Sequence, residues 1–167
     1  MEFARGRRSS KTPVSQSYQI VIQRDGQTVA TYPASFGNGD IIGDPNRVTR
    51  SGVHVVMDKQ QTTTMSNPAY GYTNVVEHWA VRISDNGEFI HQNQNTVADQ
   101  GNTNVSHGWI NLSADNAQAY CESAIYGDPV EVTGTSIALS AADGDIYDWN
   151  IPWNQWLTMS SNPGVTS

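Results

Sequence analysis

Tyr18-Gln19-Ile20-Val21-Ile22 and Thr28-Val29-Ala30-Thr31-Tyr32, joined through Arg24-Asp25-Gly26-Gln27, decide the fold class of this chain. Asp-Gly between two β-prone runs is the strongest short-range hairpin signal, because both residues tolerate the left-handed backbone of a tight turn. The pattern recurs where Trp79-Ala80-Val81-Arg82-Ile83 and Glu88-Phe89-Ile90-His91 flank Asp85-Asn86-Gly87. Gly52-Val53-His54-Val55-Val56-Met57 and Pro129-Val130-Glu131-Val132-Thr133 read as further strands. A helix is expected only once, over Ala117 to Tyr126, capped within Ser113-Ala114-Asp115-Asn116 and stopped by Gly127. The chain is therefore read as mainly β.

Composition agrees, since Gly, Ser, Thr, Asn, Gln and Val are plentiful while Leu, Lys and Glu are scarce. A length of 167 residues with 37% hydrophobic residues suits one core-bearing domain. The net charge of -7, with only 9 Lys and Arg, offers no basic stripe for nucleic acid and no attraction to anionic lipid. No apolar run approaches the roughly 20 residues that span a bilayer, and the start Met1-Glu2-Phe3-Ala4-Arg5 lacks the hydrophobic stretch of a signal peptide. One cysteine, Cys121, excludes an internal disulfide and a cysteine-cluster metal site.

Three regions are expected: a loosely ordered lead-in or tag over 1–16, rich in basic residues; the main domain over 17–135; and an extension over 136–167. The extension holds Trp149, Trp153 and Trp156 within eight residues, and so short an aromatic segment is expected to dock back on the domain. Lys59 to Asn74 shows no periodicity and is expected to form a lid or binding loop. Gln92 to Asn104 is nearly all polar and must lie at a surface.

Two histidines flank that polar stretch: His91 at a strand end and His107 in a Ser106-His107-Gly108 turn. Histidine can act as a general base, glycine lets backbone N–H groups approach a developing oxyanion, and the following helix N-terminus adds positive potential. On these residues alone a hydrogen-bonded turn without chemistry is an equal reading. His54, inside a buried run, is expected to be a core or hydrogen-bonded histidine. The four histidines (His54, His78, His91, His107) do not stand at zinc-ligand spacings, so no metal is expected.

Phe89-Ile90-His91, followed by Ser106-His107-Gly108-Trp109-Ile110-Asn111-Leu112-Ser113, resembles the L,D-transpeptidase (YkuD-type) signature of a histidine, a loop, then Ser-His-Gly-Cys-hydrophobic-Asn. The likeness continues through Thr49 to Met57 and Gly127 to Val132. Asp148-Trp149-Asn150-Ile151-Pro152-Trp153-Asn154-Gln155-Trp156 is similar to the C-terminal extension of mycobacterial and related actinobacterial members. The resemblance implies a bent β-sandwich with one short helix, no cofactor, an extracytoplasmic setting, a monomer, and peptidoglycan stem peptides as partner. It further implies a cysteine thiolate that attacks the carbonyl between the third and fourth stem residues and releases D-alanine. The acyl group then passes to an acceptor amine as a 3-3 cross-link, and carbapenems acylate the same cysteine.

Residue by residue, the resemblance makes His91 the imidazole that activates the cysteine and the Gln92 carbonyl the group that fixes its tautomer. His107 and Gly108 match the oxyanion site, Ser106 and Asn111 brace the turn, and Met65 and Tyr70 match lid residues that contact substrate. The segment between Tyr70 and Trp79 is shorter than in mycobacterial members. Trp109 stands at the nucleophile position. An indole has no ionisable nucleophile and its N–H only donates, so acyl transfer by the family route is expected to be blocked. Cys121 lies in the expected helix and reads as a buried small hydrophobe. The leading expectation is an inactive or severely impaired transpeptidase-type domain, a pseudoenzyme; the alternative is a non-catalytic module that binds or senses peptidoglycan stems.

Overall fold

The computed structural model describes residues 8–13, 17–140 and 151–159. Among the described residues nine strands run β1 (Arg8–Pro13), β2 (Gln19–Arg24), β3 (Gln27–Pro33), β4 (Gly52–Val55), β5 (Asp58–Asn67), β6 (Tyr72–Arg82), β7 (Phe89–Gln92), β8 (Ile110–Leu112) and β9 (Pro129–Thr133). Three short helices accompany them: α1 (Gly39–Ile42), α2 (Ala114–Ser123) and α3 (Trp153–Met159). One sheet has the order β3-β2-β1-β9-β4 and the other β5-β6-β7-β8. The expected mainly β sandwich is thus two open sheets, with α2 lying against β6 and β7.

Side chains from both sheets meet in one core. In β2 and β9 the alternate residues Ile20, Ile22, Val130 and Val132 are buried, as the two-residue period of a strand requires. Val81, Ile90, Ile110 and Leu112 answer from the second sheet, and Phe36 is fully enclosed between them. α2 adds Ala117, Tyr120 and Cys121. The Cys121 thiol is 4% exposed; burial pushes its pKa up, against the pull of Lys59.

The first hairpin forms as expected, with Asp25 (φ 51°) and Gly26 (φ 76°) in left-handed conformation at the turn. α2 begins earlier than expected and ends at Ser123. The Ser113 hydroxyl caps it by accepting the Asn116 N–H at 3.4 Å. The Asp128 carboxylate takes the Ile125 N–H at 2.9 Å, which draws the chain out of the helix before Gly127.

Three expectations need correction. Arg8–Pro13 is no loose lead-in: β1 pairs antiparallel with β2 and parallel with β9, inside the five-stranded sheet. Ladder bonds use only the backbone, so a polar, basic stretch can join a sheet without apolar side chains. The supposed lid loop is a long hairpin arm, β5 against β6, with a 3-10 turn (Pro68–Tyr70) near its tip. Its Thr-rich strands favour β structure while leaving both faces largely exposed, so no hydrophobic period betrays them. Helices also form at Gly39–Ile42 and Trp153–Met159, where none was expected.

Of the extension, residues 136–140 touch Ser51, just before β4: Ser51 and Ala138 form a bridge, and Ser136 N–H donates to Asp40. Trp153 and Trp156 are exposed. Trp149 lies outside the described residues. Among the described residues no helix is long and apolar enough to cross a membrane.

Candidate active site

β7 and β8 lie side by side and parallel, with His91 in register with Asn111. This pairing returns the chain after the polar loop so that the Ser106–Trp109 turn, which leads into β8, arrives beside His91. The hairpin arm forms the opposite wall. Between them is a cavity of about 370 Å³ whose lining includes Met65, Tyr70, Tyr72, Phe89, His107 and Trp109.

The turn is held by its own polar atoms. Ser106 Oγ donates to the Trp109 carbonyl at 2.5 Å and accepts the Gly108 N–H at 3.1 Å. Gly108 has φ +117°, a backbone conformation that side-chain-bearing residues rarely adopt. Thr49, fully buried, donates its hydroxyl to the Gly108 carbonyl at 2.8 Å and accepts the Gly37 N–H at 2.9 Å. Asn111 pairs through its backbone with Ser35, while its buried side-chain oxygen has no hydrogen-bond partner among the described residues.

His91 is fully buried. Its Nδ1 lies 3.1 Å from Glu77 Oε2, whereas the resemblance assigned the holding role to the Gln92 carbonyl. Gln92 sits opposite Leu112 in the β7–β8 ladder, and a carboxylate is a stronger acceptor for an imidazole N–H than a neutral carbonyl. Nε2 of His91 has no partner among the described residues.

Trp109 is half-buried at the centre of an aromatic cluster. Its ring meets His91 edge-on, with centroids 5.2 Å apart and planes at 87°, and lies 5.5 Å from Tyr72 and 6.4 Å from Phe89. Its Nε1 donates to the Gly87 carbonyl at 2.8 Å. The indole's single polar atom is therefore committed to the protein.

His107, in the same turn, meets the hairpin arm 5.4 Å from the Tyr70 ring, over which the Arg47 guanidinium lies at 5.0 Å. Burial, helped by Arg47 and opposed by Asp44, holds His107 below the usual histidine range. The fold therefore prefers the neutral imidazole. The unfolded chain takes up a proton first as pH falls, so this contribution to stability is complete above about pH 6.5 and is lost as pH drops through the lowered folded value. Thermal melts at pH 7.5 and 5.5 are expected to show a smaller acid-side loss in His107→Gln than in the parent. Tyr72 is raised by burial first, then by the charges of Glu77 and Tyr70.

Of the residues singled out in the sequence, Met65, Tyr70, His107, Gly108 and Trp109 line the cavity. His91, Ser106 and Asn111 stand directly behind it, buried. His54 is fully buried, with Nε2 2.8 Å from the Arg50 carbonyl and Nδ1 3.4 Å from Glu88. Sequence reading missed Thr49, Gly37, Glu77 and Glu88, whose carboxylate accepts the Arg50 N–H at 2.7 Å. All four act through contacts between segments distant in the chain, for which no local pattern exists.

The model of the L,D-transpeptidase catalytic domain known as YkuD matches residues 13–132. L,D-transpeptidase 5 of Mycobacterium tuberculosis (strain ATCC 25618 / H37Rv) is 49% identical over 98% of this chain and 36% of its own length. L,D-transpeptidase 2 of Mycobacterium tuberculosis (strain CDC 1551 / Oshkosh) is 37% identical over 82% of this chain and 34% of its own. The chain thus spans about a third of the length of these two curated relatives. The solved structure of the LD transpeptidase LdtMt1 in complex with imipenem superposes with a TM-score of 0.68, at 32% identity, over 77% of this chain and 59% of that one.

Proposed function

The chain belongs to the YkuD family of L,D-transpeptidase catalytic domains, and from that premise we propose that its cleft is shaped for peptidoglycan stem peptides while Trp109 silences the acyl transfer. The reaction would need a thiolate at position 109 to attack the stem carbonyl, expel D-alanine, and hand the acyl group to an acceptor amine in a 3-3 cross-link. The observation that carries the proposal is the indole of Trp109 packed edge-on against His91 at 5.2 Å. It fills the space between the base and the cleft and brings no electron pair for attack.

The expected loss follows from what a missing nucleophile costs elsewhere. Removing the serine of a serine protease lowers kcat about a millionfold, or about 8 kcal/mol of barrier, leaving binding and oxyanion effects. The domain is proposed to work outside the cytoplasm, where its substrate is found, and as a monomer.

Incubation with a carbapenem, followed by intact-mass measurement, is expected to leave the mass of the chain unchanged, and a tetrapeptide stem is expected to yield no D-alanine. A covalent adduct on the unaltered chain would end the proposal, because adduct formation requires a working nucleophile.

A further inference from the structure

We propose that Glu77 is a positioning residue: it holds His91 as the Nδ1–H tautomer and so presents Nε2 as the proton acceptor for a nucleophile at position 109. The inference rests on the reading of this cleft as a transpeptidase site, but its test needs no stem peptide.

The geometry supplies the argument. A carboxylate only accepts hydrogen bonds, so the 3.1 Å contact with Glu77 Oε2 requires the proton on Nδ1. A neutral imidazole then carries its lone pair on Nε2. That atom is buried and without a hydrogen-bond partner among the described residues, on a ring that abuts Trp109. A buried acceptor left unmet is costly, and a thiol at 109 would meet it.

Glu77 reaches this place by a departure from strand geometry. Arg82 pairs with Phe89, so His91, two residues beyond Phe89, shares their face of the sheet. Glu77 is an odd number of residues from Arg82 and in a regular strand would point to the other face. Between them Trp79 adopts φ +52°, a left-handed conformation that is uncommon outside glycine. Beyond that kink, Thr63, the register partner of Glu77, lines the cavity. The charge of Glu77 is also felt at Tyr72, on the cavity wall.

The S–H proton of a thiol at 109 would pass to Nε2, giving a thiolate and an imidazolium. Glu77 would stay ionised and stabilise the imidazolium without taking the proton, as the carboxylate of a serine-protease triad does.

The test is the pH profile of iodoacetamide alkylation in a Trp109→Cys background. The unaltered chain serves as blank, since its only thiol, Cys121, is buried. Adding Glu77→Gln is expected to raise the midpoint by about one pH unit and slow alkylation near pH 6 about tenfold, because the neutral amide keeps the hydrogen bond but loses the charge. Glu77→Asp is expected to recover part of that loss, which a purely structural role would not predict. Superimposable profiles would overturn the proposal. Should the Trp109→Cys chain fail to fold, nitrogen NMR of His91 in the unaltered chain decides: a proton on Nδ1 supports the assignment, a proton on Nε2 refutes it. A Glu77-dependent profile without D-alanine release would keep this inference and sink the substrate reading.

Discussion

Trp109→Cys is expected to take carbapenem acylation and D-alanine release from undetectable to measurable, a gain of up to about a millionfold. The surrounding parts are in place: His91 is buried with Nε2 unmet, and Ser106 and Thr49 hold the Gly108 turn through both its N–H and its carbonyl. The gain comes with a loss of stability. Removing a packed indole costs about 3–5 kcal/mol in a full core, and less at this half-buried site. The Nε1 bond to the Gly87 carbonyl contributes about 1 kcal/mol more. Intact mass and a D-alanine assay read the gain, and a melting curve reads the loss. A folded Trp109→Cys chain that takes no adduct would show that the silencing lies deeper than one side chain.

Gly37→Ala is expected to destabilise the chain by about 3 kcal/mol or more, the upper end for overpacking. A Cβ at Gly37 would stand 2.0 Å from the Arg47 carbonyl oxygen, 2.9 Å from Gly108 Cα and 2.9 Å from Thr49 N. All three are backbone atoms, so no side chain can turn aside. The strain would pass straight into the site, because Asn38 N–H donates to the Ser106 carbonyl and Gly37 N–H to Thr49. For a chain of this size the melting temperature should fall by about 6–12 °C. In a Trp109→Cys background the carbapenem adduct should form more slowly as well. A melting temperature within about 2 °C of the parent would contradict the close approach.

How far the sequence alone leads depends on the range of the interaction. Asp25-Gly26 and Asn86-Gly87 announce hairpins because turn conformation is a property of the two residues themselves. Ser113 announces a helix for the same local reason. The β5–β6 arm turns through Pro68–Tyr70 and Gly71, which carries no hairpin dipeptide, and its threonines mimic a polar loop. β1 escapes because its partners β2 and β9 reward only its backbone.

The site divides in the same way. His91, Ser106, His107 and Gly108 stand out in the sequence as a histidine and a Ser-His-Gly turn, and the structure brings them together. Glu77 could not be found so, since its contact depends on a single left-handed residue at Trp79. Thr49 and Gly37 are equally silent in the sequence, and their meaning appears only when distant segments cross.

The place of β1 bears on the order in which the molecule folds. Its Ser10 lies against Val130, so this ladder joins segments far apart along the chain, whereas Lys11 meets Val21 close by. Until β9 arrives, the outer edge of β1 offers open backbone to another strand. The β5–β6 hairpin needs no such wait, since its partners are adjacent along the chain. Folding should therefore proceed from the β5–β6 arm outward, with the β1–β9 ladder closed last and slowest.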